Sequence, residues 1–390
     1  MENGLFSLPT PFTPPTTEED ELVWLRLIRS RRVGPTTFWR LLGETGSAQN
    51  ALEALPEVAR AAGVKSYAPC SEAEARTELA AGRRAGARPV FRGQPGYPAI
   101  LAEITDAPPM LWTMGDAGLA GRPAVAVIGA RNASSLGLRM ARRLAEDLAA
   151  AGHTVVSGLA RGIDAAAHTA ALPATIAVQA GGIDVIYPAE NAALAAEIAG
   201  RGLRLSEQPP GLQPQARHFP QRNRIIAGLA RAVIVVEAAA RSGSLITARM
   251  ALDQGREVLA VPGHPMDGRA GGCNALIRDG AVLVRGAEDV LAALGGAAPP
   301  SARVARVAEA AAPAPRPPAA PPPGPPERPR AETRDLHGRI LDRLGPSPTA
   351  EDQLIRDLRL PAATVSAGLV ELELDGRVTR QPGGLLARSD

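Results

Sequence analysis

Aromatic residues are scarce, at 3% of 390 residues. A long platform of rings for stacking bases is therefore not expected. Cysteine is nearly absent. Cys70 and Cys273 alone make neither a disulfide framework nor a metal cage, which fits reduced thiols in the cytoplasm and no metal or other cofactor. No apolar run approaches the roughly 18 residues of a membrane span, and no basic start leads into an apolar core, so neither a membrane partner nor a signal peptide is expected. Lys65 is the only lysine, so nearly all positive charge is arginine, a bias that codon usage explains without selection for phosphate binding. Several chemistries lack their signatures. There is no Gly-x-x-x-x-Gly-Lys-Ser/Thr loop, no strict Gly-x-Gly-x-x-Gly in the first strand-to-helix turn, no His-Glu-x-x-His, no Cys-x-x-Cys and no Gly-x-Ser-x-Gly.

What is present begins at Ala124. Val125–Ile128 and Thr154–Val156 are short apolar runs, each ending in a small-residue turn, and between them Leu138, Ala141, Leu144, Ala145 and Leu148 recur at helical spacing. Strand, turn, helix, strand, turn, helix implies parallel strands buried on both faces. Such a sheet takes its ligand at the carboxyl ends of its strands. Further strands are expected at Thr175–Val178, Leu203–Leu205, Ala232–Val236, Glu257–Val261 and Ala281–Val284, with helices at Asn191–Ala199, Asn223–Ala230, Leu245–Gln254 and Asn274–Asp279. The regular alternation makes the fold class α/β.

Around this core, at 121–294, the chain reads as a series of modules. Residues 1–17 form a Pro/Thr-rich tail, expected to be disordered. Residues 18–71 read as three helices, the first broken at Val33-Gly34-Pro35 and the third spanning Ala48–Leu55, similar to SAM-like or helix-hairpin-helix modules; packing is the favoured role, with Arg29, Arg31 and Arg32 available for nucleic acid. Residues 72–120 bridge to the core and complete a 72–294 domain; Tyr97–Leu101 and Asp106–Trp112, rich in proline, should run extended along a sheet edge. A Pro/Ala-rich linker spans 295–332. Residues 333–390 resemble a winged helix, with Thr349 as a helix cap and a two-stranded wing. Its third helix carries Glu371, Glu373 and Asp375, which favours a protein contact over groove reading.

The candidate site is assembled from the turns. Phe219-Pro220-Gln221-Arg222-Asn223-Arg224, preceded by Arg217 and His218, crowds arginines at a helix start, which is unfavourable unless an anion sits there. The alternative is a loop paired with acids such as Glu190 or Glu207. Arg131 and Arg161, expected on the same sheet edge, favour binding. Arg241-Ser242-Gly243-Ser244 is either another donor-rich turn or a capped helix. Asp164 and His168 share a helix face, but a cap and a packed core histidine describe them better than an acid–base pair.

Together these stretches resemble the DNA-processing protein A (DprA, or Smf) family. The resemblance rests on Tyr97-Pro98 with Asp106, Pro109 and Leu111; on Gly129-Ala130-Arg131 and Ser134; and on Ser157-Gly158-Leu159-Ala160-Arg161-Gly162-Ile163-Asp164 with His168. It continues through Tyr187-Pro188 and Asn191, Ser206-Glu207, Phe219-Pro220 with Arg222-Asn223-Arg224, Ser242-Gly243-Ser244 with Thr247-Ala248, and Pro262-Gly263. It implies an extended Rossmann-like domain, with a parallel or mixed sheet, that binds single-stranded DNA and forms a homodimer. It further implies a protein that protects incoming strands in natural transformation and loads the RecA recombinase, without enzymatic activity. Carried over by residue, the strand would meet Gly129, Arg131, Ser134, Gly158, Arg161, Phe219, Arg222 and Arg224. The neighbouring Arg217, Asn223, Ser242 and Gly243 complete the candidate set. Two positions depart from the family: Ala130, where serine is usual, and Ala189, where a basic residue is common, which implies lower affinity.

Two other functional classes lack what they need. A nucleotide hydrolase of the lysine-decarboxylase-like kind would need Pro-Gly-Gly-x-Gly-Thr, but Gly181-Gly182 is followed by Ile183-Asp184. A protein-binding adaptor would not need converging arginines. Glycine amides and arginines along one edge suit a run of phosphates, whose contacts carry no sequence information.

Overall fold

The computed structural model describes residues 13–64, 66–295, 330–345, 348–381 and 385–389. The tail to residue 12 and the linker from 296 to 329 lie outside the described residues. The chain divides into two units, Met1–Ala133 with Gly137–Ala287 and Ser134–Leu136 with Glu288–Asp390.

The first unit opens with helices α1 (Glu18–Arg29), α2 (Pro35–Thr45), α3 (Ala48–Ala61) and α4 (Glu72–Arg84). Thr17 and Ser71 start α1 and α4 with capping boxes, and Pro35 opens α2, where its missing N–H is not used. Strands β1 (Arg88–Phe91) and β2 (Met110–Gly115) follow. The α/β alternation then runs β3 (Ala124–Ile128), α5 (Ser135–Ala150), β4 (Thr154–Ser157), α6 (Ile163–Ala171), β5 (Thr175–Gln179), α7 (Ala192–Arg201) and β6 (Leu203–Ser206). It continues as α8 (His218–Leu229), β7 (Ala232–Val235), α9 (Gly243–Asp253), β8 (Glu257–Ala260), α10 (Gly271–Arg278) and β9 (Val282–Leu283), after which α11 (Ala287–Ala293) leads into the second unit.

The nine strands form one sheet in the order β1-β2-β6-β5-β4-β3-β7-β8-β9. Strands β3 to β9 pair in parallel, while β2 runs antiparallel to both β1 and β6. The fold is therefore α/β with a mixed sheet, and the order reverses at β3, which lies between β4 and β7. Every residue of β3, β4, β5, β6 and β7 is buried, as a parallel sheet covered on both faces requires. On one face Ala126, Ile128, Val156 and Val178 pack with Ile225, Ile226 and Leu229 of α8; on the other, Ala177 packs with Ala195 and Ile198 of α7.

The helical module is joined to the β1–β2 edge by a shared core of Leu25, Phe38, Leu41, Phe91, Met110 and Trp112. Trp39 donates from Nε1 to the Ala107 carbonyl at 2.7 Å. Arg29 pairs with Glu78 at 2.8 Å and reaches the Glu207 carbonyl at 3.1 Å, so it serves the packing role.

The second unit contains α12 (Arg330–Arg343), β10 (Thr349–Ala350), α13 (Glu351–Leu358), α14 (Ala362–Leu374), β11 (Val378–Gln381) and β12 (Leu385–Arg388). It is a winged helix around Ile340, Leu344, Leu354, Val365, Leu369 and Leu386. Arg380 of the wing is paired with Glu351 and Glu373, each at 3.0 Å.

Four local expectations need correction. Helix α8 begins at His218 rather than Asn223, because Pro220 falls in the first turn, where no intrahelical N–H is required. Helix α3 runs through Pro56 instead of ending at Leu55. Ile100–Glu103 is a 3-10 turn rather than extended chain, since Pro98 lies before it and not within it. Thr349 is a buried residue of β10, which adds a third strand to the wing, and α13 begins without a side-chain cap.

Gly82 shows how tightly α4 meets the sheet. A methyl group there would lie 2.1 Å from the ring of Trp112, which is fully buried. Alanine normally favours a helix by about 1 kcal/mol over glycine, but overpacking against a rigid ring costs about 1–3 kcal/mol. Gly82→Ala is therefore expected to lower stability in urea unfolding followed by tryptophan fluorescence. A raised midpoint would contradict this packing.

Candidate nucleic-acid interface

The turns after β3, β4 and β5, with the first turn of α8, converge on one pocket. It has a volume of about 110 Å3 and is lined by Arg131, Gly158, Ala160, Arg161, Tyr187, Pro188, Phe219 and Arg222. Each lining residue before α8 follows the carboxyl end of its strand, where a parallel sheet offers a ligand site.

Arg222 forms the inner wall. It is 7% exposed, and its Nε has no hydrogen-bond partner among the described residues. Burial pulls its pKa down, Asp164 pulls it back up, and Arg131 lowers it again. Gly158 provides the space: a Cβ there would sit 1.4 Å from Nη1 of Arg222. Any side chain at 158 would displace the guanidinium. Helix α8 also starts without a side-chain cap, and the positive end of its dipole lies beside the pocket.

The turn carrying Gly158 is held from several sides. Asp164 accepts hydrogen bonds from the amides of Gly158 at 3.1 Å and Ala160 at 3.3 Å. It thus ties down the loop ahead of its helix, which itself begins without a side-chain cap. Burial pushes the Asp164 carboxyl up, and Arg222 and the two amides oppose that. Asn191 donates to the Leu159 carbonyl at 2.9 Å. Leu159 has φ 57°, a left-handed conformation uncommon for a non-glycine residue, and these contacts hold it there.

His168 completes the clamp and is fully buried. Thr175 donates its hydroxyl to the Val155 carbonyl, so it accepts from Nδ1–H of His168 at 2.7 Å. Nε2 is then free to accept from the Leu159 amide at 3.3 Å. The ring is therefore neutral with its proton on Nδ1, and burial, with the nearby Arg222 charge, holds its pKa down to about 3. This is a structural histidine.

At the rim Arg131 and Arg161 are exposed, and the Arg131 guanidinium stands 5.3 Å from the centroid of the Phe219 ring. Arg161 pairs with Glu190 at 2.7 Å; both side chains are about half exposed, so exchange for an outside anion costs little. Tyr187 is 53% exposed, with its ring centroid 5.6 Å from that of Phe219.

Of the expected site residues, Arg131, Gly158, Arg161, Phe219 and Arg222 line this pocket. Arg224 instead turns inward and is 8% exposed. It binds both carboxylate oxygens of Glu207, at 2.5 and 2.6 Å, and the Asp106 carbonyl at 2.6 Å. Its charge is already matched, which makes it a residue that positions α8. Arg217 is exposed, with Nε 3.2 Å from Nε2 of His218, and Asn223 is half-buried outside the lining. Gly129 permits close packing, since a Cβ there would lie 2.6 Å from Ile163. Ser242 caps α9, Gly243 is exposed beside it, and Ser244 donates to the Gly129 carbonyl at 2.8 Å. Ser134 is buried immediately before α5.

Tyr187 was in the sequence motif but not in the candidate set. The signal was its place after β5, on the edge the arginines share. Gly181 and Gly182 also become clear: Cβ atoms there would meet backbone oxygens of Leu212 and Pro209 at 2.7 and 2.6 Å. They let two loops pack, and no catalytic loop opens from them. Among the described residues no acid, histidine and cysteine cluster could hold a metal, and no helix is long and apolar enough to cross a membrane.

Comparison with known proteins gives a consistent result. Residues 88–295 match the model of the DNA recombination-mediator protein A family, residues 18–81 a DprA-like N-terminal HHH domain, and residues 310–384 a DprA winged helix domain. Protein Smf of Synechocystis is 38% identical over 307 residues, covering 74% of this chain and 77% of that protein. DNA processing protein DprA of Streptococcus pneumoniae is 50% identical over 199 residues, covering 50% of this chain and 70% of that protein. Its X-ray structure matches with a TM-score of 0.55 at 37% identity, over 71% of this chain and 93% of that one. DNA processing protein A of Helicobacter pylori, whose structure concerns a single-stranded DNA binding mode, matches with a TM-score of 0.50 at 31% identity, over 54% of this chain and 97% of that one.

The neutral His168 makes the site sensitive to acid. Its folded pKa lies below the unfolded value of about 6.5. The unfolded state therefore binds the extra proton first, and stability falls as pH drops from about 6.5 towards 3. The loss is on the order of 5 kcal/mol at most. Urea midpoints measured across this range should fall more steeply for the wild type than for His168→Gln. Equal slopes would contradict the assigned neutral ring.

Proposed function

The chain belongs to the DNA recombination-mediator protein A family, and from that premise we propose that it binds single-stranded DNA, with the strand's phosphates seated at the Arg222 pocket. The observation that carries this reading is the buried Arg222 guanidinium at the inner wall of a pocket rimmed by Arg131 and Arg161. An anion answers that arrangement better than a neutral ligand. The positive dipole end at the start of α8 is of the same polarity. The single-stranded DNA binding of the Helicobacter pylori relative supports the choice of anion. Phosphate contacts of this kind give affinity without sequence preference.

In this reading the protein acts by binding and performs no catalytic step. It protects incoming strands during natural transformation and passes them to the RecA recombinase, working as a homodimer in the cytoplasm. The winged-helix unit, beyond the 295–332 linker, serves as a protein contact. The acids of α14 and the pairing of Arg380 with Glu351 and Glu373 suit that role better than contact with phosphate.

The test is titration of the full chain with a labelled single strand, the matching duplex and a free mononucleotide at several salt concentrations. The single strand should bind most tightly, with affinity that falls as salt rises. Arg131→Ala should weaken binding by about 1–3 kcal/mol and lower the salt slope by about one, while Arg377→Ala changes little. Arg224→Ala should instead lower the melting temperature, because it strands Glu207 at a buried pair. Salt-independent binding, or equal competition by the mononucleotide, would overturn the proposal.

A further inference from the structure

The helical module has a cavity of its own, about 550 Å3 in volume and lined by Pro56, Arg60, Gly63, Val64, Ser66 and Tyr67. None of these residues lines the Arg222 pocket. The cavity forms where the chain leaves α3. Gly63 and Ser66 have φ of 78° and 58°, and these left-handed residues curl the loop back past the helix end. The carbonyls of Val58, Ala59 and Arg60 accept from the amides of Ala62, Gly63 and Val64, so they are not left bare towards an anion. Tyr67 is fixed in place: its hydroxyl donates to the Arg31 carbonyl at 2.7 Å, and the Arg31 guanidinium stands 5.6 Å from its ring centroid. Pro56, Val64 and the Tyr67 ring make an apolar wall, and Val58, two residues before Arg60, is 38% exposed. The charged groups are all of one sign. Arg31, Arg32 and Arg60 are exposed, and no ion pair of theirs is found among the described residues. Elsewhere in the module Arg29, Arg40, Arg76 and Arg83 pair with Glu78, Glu44, Glu72 and Glu18. Arg60 also suits the dipole at the end of α3, but that explains neither the apolar cavity nor Arg31 over the ring.

We propose that this cavity is a docking site for a partner protein, which enters through an acidic segment carrying an apolar side chain. The apolar side chain fills the space against Pro56, Val64 and Tyr67 and leaves water. Carboxylates beside it meet the guanidiniums of Arg60 and Arg31, whose planar forks match a carboxylate. Charge complementarity with unpaired arginines sets the sign of the partner, and the cavity selects an apolar anchor. A nucleic-acid strand suits the surface less well. Glu57 lies one turn before Arg60 and Glu53 one turn before Glu57, both exposed, so a run of phosphates along α3 would pass two like charges. A short peptide places its carboxylates at the arginines alone. The Arg31 guanidinium also stands over the ring on which a base would stack. The docking site leaves the Arg222 pocket open to a strand, so the inference stands apart from the single-strand reading.

The experiment titrates the full chain with labelled synthetic peptides, read by fluorescence anisotropy. One peptide is a run of aspartates ending in leucine and phenylalanine. The second has asparagine for every aspartate, and the third is aspartate alone. The first should bind most tightly, with both controls weaker by roughly tenfold or more. Arg31→Ala and Arg60→Ala should each lower its affinity roughly fivefold, on the scale of one exposed charge pair. Val64→Ser should lower it too, while leaving the all-aspartate peptide unchanged. Arg83→Ala, at an arginine of α4 already paired with Glu18, should bind like the wild type. A labelled oligothymidylate should bind all four variants as it binds the wild type. No binding of the first peptide, equal binding of its asparagine form, or an equal loss in Arg83→Ala would overturn the docking site. Weaker oligothymidylate binding by Arg31→Ala and Arg60→Ala, with the acidic peptide unaffected, would overturn it in favour of a nucleic-acid contact.

Discussion

The burial of one guanidinium governs this site. A cation taken from water is strongly disfavoured unless it is matched, and Arg222 is only partly matched, by Asp164. Its position depends on the absence of a side chain at Gly158, and Gly158 depends on a turn that passes through a left-handed Leu159. That turn is held by Asp164, His168 and Asn191 from two helical segments. The polar residues of α6 are thus committed to holding a backbone shape, and the shape holds a charge towards the pocket.

The sheet brings the remaining parts together. Order reverses at β3, so the turns after β3, β4 and β5 lie side by side while α8 arrives from β6. Arg224, two residues beyond Arg222, anchors that arrival on Glu207 and Asp106. Glu207 follows β6, and its carbonyl also receives Arg29 of the helical module. The N-terminal helices therefore bear on the site through β6 and its following loop. Two neighbouring arginines on one helix have different work: Arg224 fixes the helix, and Arg222 faces the pocket.

Much of the architecture was legible because parallel strands buried on both faces must be continuous apolar runs. Val125–Ile128 and Ala232–Val236 are read directly from composition and turn spacing, and the strands run Ala124–Ile128 and Ala232–Val235. The edge was less legible: Pro98 disguised a 3-10 turn, and Pro220 hid the first turn of α8. The second of these matters to the site. Reading Phe219 to Arg224 as loop followed by helix leaves all its arginines equally exposed. Within a helix, Arg222 and Arg224 fall on faces that a linear reading cannot separate, and tertiary pairing with Glu207 decides the second. The pairing of this arginine cluster with Glu207 was readable as the alternative to anion binding, and the structural role of His168 as the favoured reading. Tyr187 was visible in its motif, but its exposure and proximity to Phe219 are properties of packing alone.

The most direct measurement is a crystal structure of the full chain with a short single-stranded oligonucleotide. The account predicts a phosphate oxygen at about 2.7–2.9 Å from the Arg222 guanidinium, with Arg131 and Arg161 on neighbouring phosphates and the turn from Gly158 to Ala160 unmoved. A strand bound elsewhere, with Arg222 still facing only protein and solvent, would contradict it.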